Sequence, residues 1–203
     1  MYVPRLKEET RLARRREIAE AALRCFARQG FAATSMADII AESGLSAGSI
    51  YSHYDSKAAL VHEAAKEILD DRFRQVVAAI DLDGTATISP GRLFLAVVET
   101  MFVASAGPVL LRVWAEMPVD PELAAVGVKN VGFMRARVSE LLVPWVGARA
   151  GAELTADDPL VGRTADLVIA AVQGLLVRAA FDEPETLAAL RQTLARALDT
   201  AEV

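Results

Sequence analysis

Cysteine and histidine are scarce in this chain of 203 residues, which contains one Cys and two His. A single cysteine, Cys25, cannot form an intramolecular disulfide bond, and the composition fits a reducing compartment. Metal sites usually gather several Cys, His or carboxylate ligands. Neither His53 nor His62 has a partner at such a spacing, so we expect no bound metal and no other cofactor.

Long apolar runs are also missing. The most apolar uncharged stretches, 100–111 and 167–177, have twelve and eleven residues, whereas a membrane-spanning helix needs about 20. The beginning of the chain, "MYVPRLKEETRLARRR", lacks the apolar segment of a signal peptide. No stretch alternates as a β-strand does, and no Gly-rich phosphate loop is present. These observations predict a soluble, cytoplasmic protein that is not an enzyme, although the sequence does not exclude a Ser–His–Asp triad.

Helical periodicity runs through almost the whole chain. It predicts an all-α fold with four helices before a turn-rich connection at 81–91 and five after it. The predicted helices are 9–29, 36–43, 46–54, 56–76, 93–102, 108–116, 121–145, 159–181 and 184–200. We expect two domains, residues 1–56 and residues 57–203.

The stretch from Thr34 to Leu60 has the spacing of a helix-turn-helix. A short apolar-patterned segment ends at Gly44, and Ser46 can cap a second short helix that contains no Lys or Arg. An ordinary helical corner in a bundle has the same periodicity and remains an alternative.

The segment from Arg16 to Leu60, "REIAEAALRCFARQGFAATSMADIIAESGLSAGSIYSHYDSKAAL", resembles the DNA-binding segment of the TetR (tetracycline-repressor) family. The resemblance implies a homodimeric regulator, most typically a repressor, which binds a double-stranded DNA operator and releases it when a small-molecule effector binds. It also implies an N-terminal three-helix DNA-binding domain and a larger C-terminal helical domain for effector binding and dimerisation. Ala47 and Asp55 depart from the residues common in the family, and Asp55 places a negative charge near the DNA.

In a helix-turn-helix the second helix lies in the major groove, where hydroxyl groups and small apolar side chains can contact base edges. Helix N-termini and cations would then contact the phosphates. The sequence favours DNA contact and partial packing equally as the role of Tyr51. The residues that we expect to contact DNA are Arg14, Arg15, Thr34, Ser35, Ser46, Ala47, Gly48, Ser49, Tyr51, Ser52, His53, Tyr54 and Lys57.

The remaining assignments concern the C-terminal domain and rest on the same resemblance. A largely apolar effector would lie among the helices predicted at 93–102, 108–116 and 121–145, although most apolar residues there could simply form the core. Its predicted contacts are Met101, Phe102, Trp114, Asn130, Phe133 and Gln173. The dimer interface would involve Leu167, Ala171, Gly174, Leu175, Leu190 and Leu194 on the last two helices.

Charge is distributed unevenly along the chain. Residues 1–60 contain nine Lys and Arg against seven Asp and Glu, a net of +2, and residues 61–203 contain thirteen against twenty, a net of −7. A basic end on an acidic chain suggests an anionic partner at that end, but charge alone favours a solvated, charge-rich first helix. The rival hypothesis is a helical small-molecule-binding protein or enzyme whose corner motif does not bind DNA.

Overall fold

A computed structural model describes residues 5–81, 87–102, 111 and 114–201. All regular secondary structure within these residues is helical, which confirms the all-α prediction. The helix predicted at 108–116 lies largely outside the described residues, although residues 111 and 114–116 are helical. The helices are α1 (Arg5–Ala33), α2 (Met36–Ser43), α3 (Ala47–Tyr51), α4 (Lys57–Asp81), α5 (Pro90–Phe102), α6 (Pro121–Ala150), α7 (Pro159–Arg178) and α8 (Pro184–Thr200).

Helix α1 is interrupted at Gly30, where the sequence predicted its end. Gly30 has φ 83° and ψ 170°, a backbone conformation that residues with a Cβ rarely adopt. The Thr34 hydroxyl donates a hydrogen bond of 2.6 Å to the Gly30 carbonyl. Residues 31–34 therefore form a separate turn that leads from α1 into α2, and the Thr34 N–H donates to the Phe31 carbonyl.

Two helices end earlier than their sequence patterns predicted. Helix α3 ends at Tyr51 rather than Tyr54, because the Ser52 hydroxyl donates to the Ser49 carbonyl and the His53 N–H donates to the Ile50 carbonyl. Helix α7 ends at Arg178 rather than Phe181. In both cases the helical pattern of the sequence continues past the last residue of the helix, so the pattern alone does not indicate where the helix ends.

The chain divides into two compact units. The first unit comprises Met1–Ile68 and Val109–Asn130, and the second comprises Leu69–Pro108 and Val131–Val203. The division falls inside α4 and inside α6 rather than at the expected boundary after residue 56. The beginning of α6 thus belongs to the same unit as the helix-turn-helix, which the sequence did not indicate.

The first unit has an apolar core beneath α2 and α3. Helix α1 supplies the largest share, and Leu123 and Val126 of α6 complete it. Met117, before α6, packs against the same cluster. The buried members are Ile18, Ala22, Cys25, Phe26, Phe31, Ile39, Ile50, Tyr54, Ala58, Leu60, Val61, Leu123 and Val126.

In the second unit α5 packs against α7 and α8. Its first turn is fixed to α8 by Asp199, whose carboxylate accepts a 2.7 Å hydrogen bond from the Gly91 N–H. A Cβ at Gly91 would clash with the backbone carbonyl of Ala195. Gly91 is therefore required by the close approach of the two helices.

We expect Gly91→Ala to destabilise the protein. The added methyl group meets backbone atoms that cannot rotate away, and overpacking of this kind costs about 1–3 kcal/mol. The free energy of unfolding in urea measures the loss. Gly132→Ala is the matched control, because a Cβ at Gly132 meets no atom within 4 Å. Equal stability of the two variants would contradict the close approach of α5 to α8.

Candidate nucleic-acid interface

Helices α2 and α3 are held by side-chain caps at both N-termini. The Asp38 N–H donates to the Ser35 Oγ, and the Ser35 N–H donates to the Asp38 carboxylate at 2.7 Å. Ser46 accepts a hydrogen bond from the Ser49 N–H. Gly44 ends α2 in the left-handed conformation with φ 69°. These contacts satisfy the backbone groups of two helices that are too short to be stable alone.

The N-terminus of α2 already carries a negative charge. Hydrogen bonds from Ser35 lower the pKa of Asp38, which keeps its carboxylate ionised at neutral pH. The Ser35 hydroxyl also donates to Asp38 at 2.7 Å. A phosphate at this position would have to be placed beside a carboxylate, so this N-terminus is a weaker anion site than the sequence suggested.

The outer face of α3 is uncharged and exposed. Ala47, Gly48, Tyr51 and Ser52 are exposed, and Ile50 is fully buried on the opposite side. Tyr51 is 50% exposed. The other exposed residues here, Ala47, Gly48 and Ser52, are small or carry a hydroxyl group. A face of this composition can approach a groove closely and form hydrogen bonds with base edges.

No contact among the described residues explains why residue 48 is a glycine. A Cβ built at this residue would meet no atom within 4 Å, and Gly48 does not have a positive φ. Glycine lowers the stability of a helix by about 0.5–1 kcal/mol relative to alanine. The small residue is therefore consistent with the DNA contact expected of Gly48, since no described neighbour requires it.

Two residues expected to contact DNA are buried. Tyr54 is 2% exposed and belongs to the core of the first unit, with Arg15 stacked over its ring at 5.7 Å. Thr34 is also 2% exposed. In this conformation neither side chain can reach a base or a phosphate. We therefore no longer propose either residue as a DNA contact; both stabilise the helix-turn-helix from within the protein.

Lys57 points into the protein. Its Nζ donates to the carbonyl oxygens of Phe31 and Thr34 at 2.7 Å and 2.8 Å. The ammonium group also lies 4.0 Å from the centroid of the Phe31 ring. An ammonium group has three donors, and two of them hold the turn between α1 and α2. The sequence predicted only a phosphate contact here.

Arg14 and Arg15, neighbours on α1, form different ion pairs. Arg15 forms an ion pair with Glu63 of α4 at 3.0 Å and is 21% exposed, so it connects two helices. Arg14 is 41% exposed and pairs with Glu17 within its own helix. Arg14 therefore remains better placed than Arg15 for an external anion, since exposed pairs of this kind are weak.

His53 lies next to these arginines. Burial lowers the pKa of His53, and the positive charges of Arg15, Arg11 and Arg14 lower it further. The imidazole is consequently neutral at pH 7, with one nitrogen that donates and one that accepts. A nearby phosphate would offset the positive charges of the arginines.

The residues expected to bind an effector lie in both compact units. Trp114 and Asn130 belong to the first unit, and Phe133 and Gln173 belong to the second. The side chains of Met101 and Phe102 lie outside the described part of the structure. The Asn130 side-chain oxygen is 2.8 Å from the Nδ1 atom of His62, so this amide already has a partner within the protein.

The residues expected at the dimer interface lie on α7 and α8 and differ in exposure. Leu175 is 2% exposed in the single chain, which places it in the core of its own unit and corrects its assignment to the interface. Leu167 is 50% exposed and Gly174 is exposed, whereas Ala171, Leu190 and Leu194 are half-buried. Ala170 and Val177 extend the exposed side, which we call the outer face of α7: Leu167, Ala170, Gly174 and Val177. Phe181, just after the helix, is also exposed.

Helix α7 is long and apolar enough to cross a membrane, as judged by length and composition alone. Half of its most apolar window is buried inside the protein. The core helix of a soluble protein has the same properties. Among the described residues, no group of three or more His, Cys, Asp or Glu side chains is arranged to bind a metal ion.

Residues 18–64 match the model of the family described as "Bacterial regulatory proteins, tetR family". Within this segment the chain is similar to the tetR family. The matched segment covers the second half of α1, all of α2 and α3, and the first part of α4, and it therefore contains the exposed face of α3.

The HTH-type transcriptional repressor KstR2 of Rhodococcus jostii is 40% identical over 78 residues, which cover 37% of this chain and 38% of the relative. KstR2 of Mycolicibacterium smegmatis is 32% identical over 89 residues, 44% of this chain and 43% of that protein. The similarity thus spans well under half of the curated relatives.

Solved structures extend the likeness over almost the whole fold. Salmonella enterica GusR superposes with a TM-score of 0.62 at 24% identity, covering 92% of this chain and 96% of GusR. The regulatory protein TetR from Rhodobacter sphaeroides has a TM-score of 0.61 at 20% identity, covering 89% and 96%. At these identities the likeness establishes the fold.

Proposed function

We propose that this protein is a homodimeric repressor of the tetR type, which binds an inverted-repeat operator through α3 and is released by a small, largely apolar effector. The observation that carries the proposal is the outer face of α3. It is exposed, uncharged and free of bulky aliphatic residues, and it includes a glycine that no neighbour among the described residues requires. The KstR2 relatives are named as transcriptional repressors, and the tetR family model matches residues 18–64, which include α3.

The decisive experiment is selection of bound sequences from random double-stranded DNA. An inverted repeat with half-sites about 34–36 Å apart, or a multiple of that spacing, is expected for a dimer that uses two groove helices. Affinity should fall steeply with salt, because phosphate contacts release counterions. Failure to enrich any sequence, with no salt-dependent retention on DNA, would favour the rival hypothesis of a helical ligand-binding protein or enzyme.

We expect Gly48→Ala to separate folding from DNA binding. The added methyl group removes the penalty of glycine in a helix, so the free energy of unfolding should rise by about 0.5–1 kcal/mol. Operator affinity should fall roughly tenfold or more, since a methyl group inserted into a tightly packed contact costs about 1–3 kcal/mol. Gly132→Ala supplies the control, because it makes the same change on an exposed helix outside the proposed interface. Unchanged operator affinity for Gly48→Ala would show that DNA does not approach this residue closely.

We expect Tyr51→Ala to alter sequence preference more than stability. Half of the Tyr51 side chain is exposed on the outer face of α3, and the loss of one base-edge contact costs about 1–3 kcal/mol at the affected base pair. Repeating the selection with the variant should therefore relax one position of each half-site. A lower melting temperature with an unchanged binding profile would assign Tyr51 to packing.

The effector part of the proposal rests on the apolar residues around α5 and α6 and on the fold. A ligand lowers operator affinity only by its differential affinity for the two states, and operator DNA must weaken ligand binding by the same factor. Trp114 fluorescence provides a readout for a screen of apolar compounds. A compound that binds equally well with and without operator is not the effector.

A further inference from the structure

The turn between α1 and α2 is held by side chains from two distant parts of the sequence. The Ala32 N–H donates a hydrogen bond of 2.9 Å to the Glu116 carboxylate. The carbonyls of Phe31 and Thr34 accept from Lys57. Three backbone groups of a four-residue turn are thus bound by Lys57, at the start of α4, and by Glu116, which lies just before α6.

Glu116 is itself held in a rigid setting. The N–H groups of Val119 and Asp120 both donate to the Glu116 carbonyl at 3.1 Å, and the Met117 N–H donates to the Trp114 carbonyl at 3.3 Å. Asp120 then caps α6, because its carboxylate accepts from the N–H groups of Glu122 and Leu123 at 3.0 Å. The backbone at Glu116 therefore has little freedom to move away from the turn.

The segment after Glu116 is anchored in the core of the first unit. Leu123 is fully buried and Val126 is 6% exposed, and both belong to the same core cluster as Ile39 and Ile50. Gly127 leaves room for the Met117 sulfur, which would overlap with a Cβ at that position. The Asn130 amide and His62 connect the same segment to α4. Residues 116–130 consequently behave as part of the DNA-binding unit rather than as a linker.

The turn determines where α2 begins. Ala32 lies three residues before Ser35, the N-cap of α2, and the Thr34 hydroxyl closes the turn onto Gly30. Helix α2 in turn packs against α3. A shift of the turn would displace the N-terminus of α2 and would alter the angle at which α3 is presented.

We propose that Glu116 is a positioning residue for DNA binding, which fixes the α1–α2 turn through the Ala32 N–H and thereby sets the orientation of α2 and α3. Any displacement of the segment 114–120 would then reach the helix-turn-helix directly, without passing through the length of α4. The inference rests on the proposed function for its consequence, whereas the positioning itself is a property of the free protein.

Two substitutions and one control test it. Glu116→Ala removes the acceptor, Glu116→Gln retains an acceptor oxygen without the charge, and Glu122→Ala removes an exposed carboxylate from α6 nearby. Amide hydrogen exchange and chemical shifts are measured for Ala32 and for α2, together with affinity for the selected operator and thermal stability.

We expect Glu116→Ala to accelerate exchange of the Ala32 amide and to shift the amide resonances of α2. Operator affinity should fall roughly three- to tenfold, the range of one hydrogen bond. Glu116→Gln should recover most of the affinity, and Glu122→Ala should match the wild type. A folded Glu116→Ala variant with unaltered α2 resonances and unaltered affinity would overturn the inference.

The two proposals fail in distinguishable ways. If the wild-type protein binds no DNA, the proposed function is wrong, and the exchange measurements still decide whether Glu116 positions α2. If Glu116→Ala unfolds at the assay temperature, Glu116→Gln supplies the test. Loss of affinity in Glu116→Gln, with the Ala32 amide protected as in the wild type, would assign Glu116 an electrostatic role and overturn positioning.

Discussion

Gly174→Glu should convert the proposed dimer into a monomer that is folded at least as stably as the wild-type chain. Gly174 is exposed on the outer face of α7, and a Cβ there meets no atom within 4 Å. Replacing glycine inside an exposed helix also improves helix propensity. In a two-fold interface, however, two copies of the unpaired carboxylate would be buried against each other. We expect the dimer dissociation constant to rise at least about a hundredfold.

Operator binding should collapse with the dimer. Two linked half-site contacts gain a factor of about 10²–10⁴ from effective concentration, and a monomer forfeits it. Sedimentation velocity measures the oligomeric state, and the selected operator measures the affinity. Gly132→Glu introduces the same charge on α6 at a position that is equally open and should change neither. A dimeric Gly174→Glu variant would move the interface off the outer face of α7.

Leu175→Arg, by contrast, is not a test of the dimer. Leu175 is 2% exposed inside its own unit, so a buried, unpaired guanidinium would unfold the chain before any interface is assessed. The sequence alone does not show which of Leu175 and Gly174 faces the core and which faces the solvent. Both lie in apolar stripes of one helix, and adjacent residues differ by about 100° around the axis. Which stripe faces inward is decided by the helices that pack against it, and these are distant in sequence.

Local signals were sufficient for the helix-turn-helix itself. Ser35, Ser46 and Ser56 cap the helices as their residue types predicted, and Gly44 takes the left-handed conformation that ends α2. These features depend on residues within four positions of each other. Because they are determined by residues close together in the chain, the sequence predicts them correctly.

The non-local part of the site could not be predicted in the same way. Tyr51 and Tyr54 are the same residue type three positions apart, yet one is half exposed and the other is 2% exposed. The contact between Glu116 and Ala32 spans 84 positions, and no local pattern marks either residue. The packing of Leu123 and Val126 under α2 likewise depends on tertiary structure, because their apolar spacing is that of any amphipathic helix.

Lys57→Ala should weaken both the fold and DNA binding. In the structure its ammonium group binds two carbonyls of the turn between α1 and α2, next to Phe31 and Thr34, which are 1% and 2% exposed. Hydrogen bonds to charged groups contribute about 1.5–3 kcal/mol each, and water can reach the vacated site only in part. We therefore expect the free energy of unfolding to fall by roughly 2–4 kcal/mol.

The salt dependence of operator binding separates the two roles of Lys57. If its third N–H also contacts a phosphate, the slope of log K against log salt should fall in magnitude by about 2 for a dimer, uniformly over DNA sequences. If Lys57 only holds the turn, affinity falls while the slope stays unchanged. Lys129→Ala is the control, because Lys129 is an exposed lysine of the same unit. Wild-type stability in Lys57→Ala would contradict the inward position of this ammonium group. A smaller salt slope without any loss of stability would instead support the simple phosphate contact that the sequence predicted.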